Sequence, residues 1–190
     1  MSSHHIIREN QEPALFIADY FSLSTEHLGQ LLEWSPTLLA LASQYDFLQS
    51  AGIKVDVLLA PSETIIDDLE EHTEIIYYGN SYWQTLFTYL QEKKNVNLHI
   101  LSQELDFKAL EPWLELFTIN VLRGNRKVLF QKEYHKWLPK GFRLEILNQD
   151  ESLVSGSNLH YLGDARFEVL TDGFVKIAKQ LDYLVISEEL

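Results

Sequence analysis

The chain has 190 residues, 46% of them hydrophobic and 12% aromatic, with no cysteine and a formal net charge of -13 at neutral pH. That length fits one domain, or one domain with a small second one, and the missing cysteine excludes disulfides, thiolate nucleophiles and cysteine-ligated metal centres. The acidic balance argues against nucleic acid, whose phosphates are met chiefly by Lys and Arg; no apolar run approaches the roughly 18 residues of a membrane span, nor does Met1 to Arg8 carry a signal-peptide core, so a cytoplasmic protein is expected.

In chain order, strands are expected at Ala14 to Ala18, Leu38 to Ala42, Val55 to Ala60, Glu74 to Tyr78 and Val96 to Leu101. A helix led by Ser24 places Leu28, Leu31 and Leu32 on one face and ends before Pro36. A second spans Ser81 to Lys93 with Leu86, Tyr89 and Leu90 inward, and a third spans Phe107 to Phe117 around Pro112. Alternation of this kind predicts an α/β fold whose N-terminal parallel sheet is crossed by helices. From about residue 118 the texture changes. Closely spaced strands are expected at Thr118 to Leu122, Lys127 to Gln131, Phe142 to Leu147, Arg166 to Leu170, Phe174 to Ala178 and Tyr183 to Ser187. Arg123-Gly124-Asn125, Pro139-Lys140-Gly141 and Thr171-Asp172-Gly173 supply turns between them. The expected organisation is an α/β domain over 1–118 and a small antiparallel β-sandwich over 119–190.

Generic catalytic signatures are missing: there is no Walker-type glycine loop, no nucleophile elbow and no His-Glu-x-x-His. The run Asp67-Asp68-Leu69-Glu70-Glu71-His72-Thr73-Glu74 reads as a solvated helix face with Ile65, Ile66 and Leu69 on its buried side, or as a set of hard ligands for Mg²⁺. Arg123, Arg126, Lys127 and Lys132 read as a strand-connecting turn, or as an anion site. Ser155-Gly156-Ser157-Asn158 reads as a turn rich in small hydrogen-bonding groups.

Several segments resemble the thiamine pyrophosphokinases of the Bacteroidetes type. They are Ser2 to Leu15, Leu28-Gly29-Gln30-Leu31-Leu32-Glu33-Trp34-Ser35-Pro36, Gly52-Ile53-Lys54-Val55-Asp56, Lys136-Trp137-Leu138-Pro139-Lys140-Gly141, Ser157-Asn158-Leu159-His160-Tyr161 and Asp172-Gly173-Phe174-Val175. The resemblance implies an α/β domain followed by a thiamine-binding β-sandwich, a homodimer, and transfer of a pyrophosphoryl group from ATP to thiamine with Mg²⁺ held on Asp side chains.

The same resemblance implies that the chemistry has been lost. The family's Gly-Asp-Phe-Asp-Ser metal loop falls on Ala60-Pro61-Ser62-Glu63-Thr64, which leaves Glu63 as the vestigial catalytic candidate. Its Asp-Gly pair falls on Ala42-Ser43, and its Lys-Thr-Asp beside the nucleotide falls on Asn80-Ser81-Tyr82. An Arg-x-Asp-His region and a thiamine-clasping Ser-Ser-Asn have no counterpart. Losing one charge-stabilising group commonly costs about 10²- to 10³-fold. The expectation is a catalytically silent binding or regulatory homologue with no metal site and no required cofactor. Its candidate ligand residues are Asn80, Ser81 and Tyr82, with Ser155, Ser157 and Asn158, and its candidate ligand is thiamine or one of its phosphates. Two alternatives stay open: an active enzyme using Mg²⁺ and ATP on a site rebuilt from Glu63, Asp67, Asp68 and Asp106, or a dimerisation partner of an active paralogue. Tyr78, Tyr82 and Trp83 either stack on a ligand or fill the emptied cleft.

Overall fold

The computed structural model describes residues 12–34, 36–148 and 156–190. Residues 2–11 of the opening segment of the resemblance, Ser35 and Ser155 lie outside the described residues. The chain divides into two units, Met1–Gly124 and Asn125–Leu190. Among the described residues no helix is long and apolar enough to cross a membrane.

In the first unit β1 (Ala14–Ile17), β2 (Leu38–Leu41), β3 (Val57–Pro61), β4 (Glu74–Tyr78), β5 (Asn97–Leu101) and β6 (Thr118–Arg123) pair in parallel. Their order is β6-β5-β1-β2-β3-β4. All four residues of β1 are buried, as strands covered on both faces require. Leu15, Ile17, Ala40 and Leu58 pack with Leu28 of α1 (Thr25–Leu32) and Leu48 of α2 (Tyr45–Ser50). On the opposite face Phe16 meets Tyr82 and Trp83 of α3 (Tyr82–Glu92). Ser24 caps α1 as expected, its Oγ accepting from the His27 N–H at 3.2 Å.

Four expectations need correction in this unit. The helix expected over 107–117 is only α4 (Phe107–Leu110) followed by a 3₁₀ turn, Glu111–Trp113, because Pro112 supplies no N–H and its ring obstructs further α-helical turns. The acidic run forms no helix. Asp68 has φ +54°, Ile65 is 87% exposed, and the segment is pinned by Glu70 N–H donating to the Tyr45 hydroxyl and by Thr73 Oγ1 donating to the Val55 carbonyl. On α3 the buried aromatic is Phe87, and Tyr89 is only half-buried, because the helix packs against Trp113 and Phe117 as well as the sheet. Finally, α2 has no counterpart among the expected helices. Its signal is Gly52 at φ +69°, where the Gly52 and Ile53 amides donate to Gln49 and Leu48 and close the helix in a Schellman turn.

The second unit holds β7 (Arg126–Gln131), β8 (Tyr134–Leu138), β9 (Arg143–Ile146), β10 (Gly156–Ser157), β11 (Leu159–Gly163), β12 (Arg166–Val169), β13 (Gly173–Ile177) and β14 (Leu184–Glu189). One antiparallel sheet runs β11-β12-β9-β14-β7 and another β10-β13-β8. Tyr134, Leu138, Val175 and Ile177 from the smaller sheet share a buried cluster with Leu144, Phe167, Leu184 and Ile186 from the larger. β8, β10 and β11 lie outside the strands read from sequence. In β8 the alternation is masked by Lys136, which stands between the inward Tyr134 and Leu138 and reaches the buried Glu188 carboxylate at 2.6 Å. Tyr134 donates a second, short hydrogen bond to the same carboxylate. Arg126, from the basic cluster, is engaged by Ser187 Oγ at 2.6 Å and the Ser187 carbonyl at 2.8 Å.

Candidate functional site

In an open α/β sheet ligands bind beyond the carboxyl ends of the strands, where neighbouring strands send their connections in opposite directions. Here β1 leads to β2 on one side and β5 leads to β6 on the other, so that point lies between β1 and β5. The loop after β1 begins there with Ala18 and Asp19, whose amides both donate to the Leu101 carbonyl at 3.0 Å. Asp19 accepts from the Phe21 N–H at 2.9 Å, and Gln44 Oε1 accepts from Tyr20 N–H at 2.9 Å. These bonds present Tyr20 and Phe21 beside Phe47 of α2. Tyr20 and Phe47 are nearly parallel at 6.3 Å, Phe21 meets Phe47 edge-on at 5.0 Å, and Phe21 stays 64% exposed. The sequence reading missed this aromatic surface; the adjacent Tyr20-Phe21 directly after a strand was its only local signal.

Beyond β3, Pro61 is the last paired strand residue, opposite Tyr78. Thr64 N–H donates to the Pro61 carbonyl, Ser62 donates from N–H and Oγ to the Tyr78 carbonyl, and Glu63 sits exposed at φ +73°. That is a tight turn with a carboxylate at the position a glycine or asparagine usually takes. Asn80 and Ser81 follow β4, both exposed, and Ser81 occupies the N-cap position of α3 without a side-chain capping bond. Tyr82 lies 5.9 Å from Tyr78, 5.9 Å from Phe16 and 4.6 Å from Trp83. Burial raises its phenol pKa, and the charges of Asp106, Tyr78 and Glu104 add to the effect. The ring run continues through Trp83, Phe87 and Trp113, so these aromatics pack on one another along α3.

Two of the five carboxylates in the loops at this end are bonded to backbone. Asp19 holds Phe21 N–H, and Asp106 holds Ala109 N–H at 3.1 Å as the N-cap of α4. Among the described residues no three His, Asp or Glu side chains converge on a point where a metal could bind, so Glu63, Asp67, Asp68 and Asp106 are not gathered into one ligand set. Nor do residues 18–24, 42–46, 61–64, 79–81 or 102–106 contain a single Lys or Arg. The edge offers aromatic surface and negatively charged loops, with Arg123 closing β6. It suits a neutral or cationic ring and opposes a bare polyphosphate.

In the second unit, Asn158 has φ +67° and its amide bonds Thr171 three times: Nδ2 donates to the carbonyl at 2.7 Å, and Oδ1 accepts from the N–H and the hydroxyl at 2.9 Å each. Ser157 is exposed and pairs in β10 with Lys176.

No family model and no curated protein matches the chain. Solved structures do. Thiamine pyrophosphokinase from Bacillus subtilis superposes with a TM-score of 0.65 at 10% identity, covering 93% of this chain and 97% of that one. The chain has the thiamine pyrophosphokinase fold. A probable thiamine pyrophosphokinase from Staphylococcus saprophyticus matches at a TM-score of 0.61 and 11% identity, covering 93% of this chain and 98% of that one. A thiamin pyrophosphokinase family protein from Enterococcus faecalis matches at 0.60 and 11%, covering 94% and 99%. In the thiamine pyrophosphokinase fold of this chain, the residues at Pro61, Glu63 and Tyr82 stand at the carboxyl edge described above, and at this identity the likeness concerns fold alone.

Proposed function

We propose that this chain is a catalytically degenerate member of the thiamine pyrophosphokinase fold, a cytoplasmic binding or regulatory protein that does not transfer pyrophosphate. The observation that carries the reading is the electrostatics of the carboxyl edge. Transfer of a phosphoryl-type group needs its charge met by metal ions or by Lys and Arg. Here Asp19 and Asp106 bond backbone amides, no three acids among the described residues converge, and the five loops carry no basic residue. An ATP triphosphate would meet repulsion with no bridging cation.

Part of the proposal is that the first unit is the degenerate catalytic-type domain and the second a thiamine-binding-type β-sandwich. Ligand contacts are assigned to Asn80, Ser81 and Tyr82 and to Ser155, Ser157 and Asn158, with thiamine or its phosphate as the candidate ligand. A homodimer belongs to it as well, supported by the exposed Trp137 and Phe174, which pair across β8 and β13.

The test is an assay of purified protein with ATP, Mg²⁺ and thiamine, run on the species that light scattering identifies. The expected species is the dimer and the expected result is no thiamine diphosphate above background. Only monomer at micromolar concentration removes the dimer from the proposal. Turnover that Glu63→Gln abolishes would establish the rebuilt site in place of the degenerate one.

A further inference from the structure

Phe21 is an apolar ring that the loop after β1 holds out to solvent. Both of its backbone groups are taken by side chains: Asp19 accepts from its N–H at 2.9 Å, and Gln103 Nε2 donates to its carbonyl at 3.2 Å. Gln44 holds the Tyr20 N–H, and the Gly124 amide donates to the Ser22 carbonyl. The short 3₁₀ turn Tyr20–Ser22 is thereby tied to the segment before α2, to the loop after β5 and to the end of β6. That anchoring fixes the Phe21 ring where it stands, 64% exposed, beside Phe47 at 46%. Adjoining exposed aromatics with polar side chains at their rim mark an interaction surface.

Tyr20 and Phe47 lie 7° from parallel at 6.3 Å, and Phe21 stands edge-on to both, 5.2 Å from Tyr20 and 5.0 Å from Phe47. An aromatic face carries negative charge density and attracts a cation laid against it. The surroundings have the same sign. Between residues 12 and 124, seventeen Asp and Glu stand against five Lys and Arg, so this stretch carries twelve of the chain's thirteen net negative charges. On the elements that hold or adjoin the three rings the acids are Asp19, Glu26, Asp46, Glu104 and Asp106, and the cations are Lys108 on α4 and Arg123 at the end of β6. Asp46 and Glu104 are exposed, one next to Phe47 in the chain and the other next to Gln103. The bonds that Asp19 and Asp106 make to backbone leave their charge in place.

We infer that Tyr20, Phe21 and Phe47 form a docking surface for a protein partner that presents arginine side chains, with guanidinium groups laid on the exposed rings and met by the carboxylates around them. Arg suits the surface better than Lys, because its planar, weakly hydrated guanidinium stacks on an aromatic face and keeps an edge free to bond carboxylates. The rings cover a bound group from one side only. A cation delivered by its own polypeptide therefore fits better than a small free one, since neighbouring contacts share the cost of fixing it. The inference rests on reading this edge as a binding surface, and its test contains no nucleotide, so its failure and the failure of the proposed function are separate results.

The probe is the peptide acetyl-Gly-Arg-Gly-Arg-Gly-amide, titrated into the whole protein and followed by amide NMR shifts. The same peptide with citrulline in place of both arginines is the uncharged control. Saturation is expected within about 5 mM with shifts centred on Phe21, Phe47 and Gln103, and the citrulline peptide should bind about tenfold weaker or more. Phe21→Leu with Phe47→Leu keeps apolar side chains and removes the ring faces; it should melt with the parent and lose about tenfold in affinity. Asp46→Asn with Glu104→Gln should weaken binding about threefold or more, and it carries the test if the Leu variant does not fold. The mass of the Leu variant by light scattering should equal the parent's; a smaller mass would assign the rings to a second copy of this chain and overturn the proposal. Equal binding of the citrulline peptide, shifts centred on the acidic run 67–71, no saturation, or full affinity in either folded variant would overturn it as well.

Discussion

Phe87→Ala is expected to lower the stability of the protein by about 3–5 kcal/mol, measured by urea denaturation. The ring is fully buried on α3, between Trp113 at 4.7 Å, Phe117 at 5.0 Å and Trp83 at 6.2 Å. Removing it takes away apolar burial and also the partner of three other rings, which cannot all collapse into the gap because α3, the 3₁₀ turn after α4 and the start of β6 fix them. Fluorescence of Trp83 and Trp113 should shift in the folded variant. A loss under about 1 kcal/mol would mean that the rings repack freely and that the aromatic run does not fix α3.

The second large effect is expected at Lys136. Lys136→Met should cost roughly 3 kcal/mol or more, because it leaves the Glu188 carboxylate, 3% exposed, with only the Tyr134 hydroxyl for company. The reverse deletion should be milder, since Lys136 is half-exposed and can turn to water once Glu188 is gone. Tyr134 belongs to the same account. Burial, then the hydrogen bond and charge of Glu188, raise its phenol pKa. A phenol raised in the folded state contributes stability fully below its unfolded value of about 10, and that contribution is lost as pH climbs through the folded value. Replacing all three by Met, Leu and Phe should recover most of the loss. If Lys136→Met unfolds at the same urea concentration as the parent, the ion pair does not hold the two sheets.

Local signals in the sequence carried the sheet and the first helix. Leu15 and Leu39 lie in runs that are apolar at every position, and Ser24 announces the start of α1; both depend on neighbours within a few residues. The failures share a different cause. The tie between the half-exposed Lys136 and the buried Glu188 was hidden because the two lie far apart along the chain. Phe87 rather than Tyr89 faces inward because Trp113 and Phe117 arrive from another element. At the candidate site the commitment of Asp19 and Asp106 to backbone amides was not legible, since capping is a matter of loop geometry. The surface of Tyr20, Phe21 and Phe47 joins the loop after β1 to α2 and was equally hidden.

A carboxyl edge that does not neutralise a nucleotide polyphosphate should not hold Mg-ATP, and calorimetric titration tests this without relying on turnover. No saturable heat is expected up to about 1 mM, which corresponds to less than roughly 4 kcal/mol of binding free energy. A micromolar dissociation constant that Glu63→Gln weakens at least about tenfold would contradict it, because that result requires Glu63 and a bound Mg²⁺ to meet the phosphates at this edge after all.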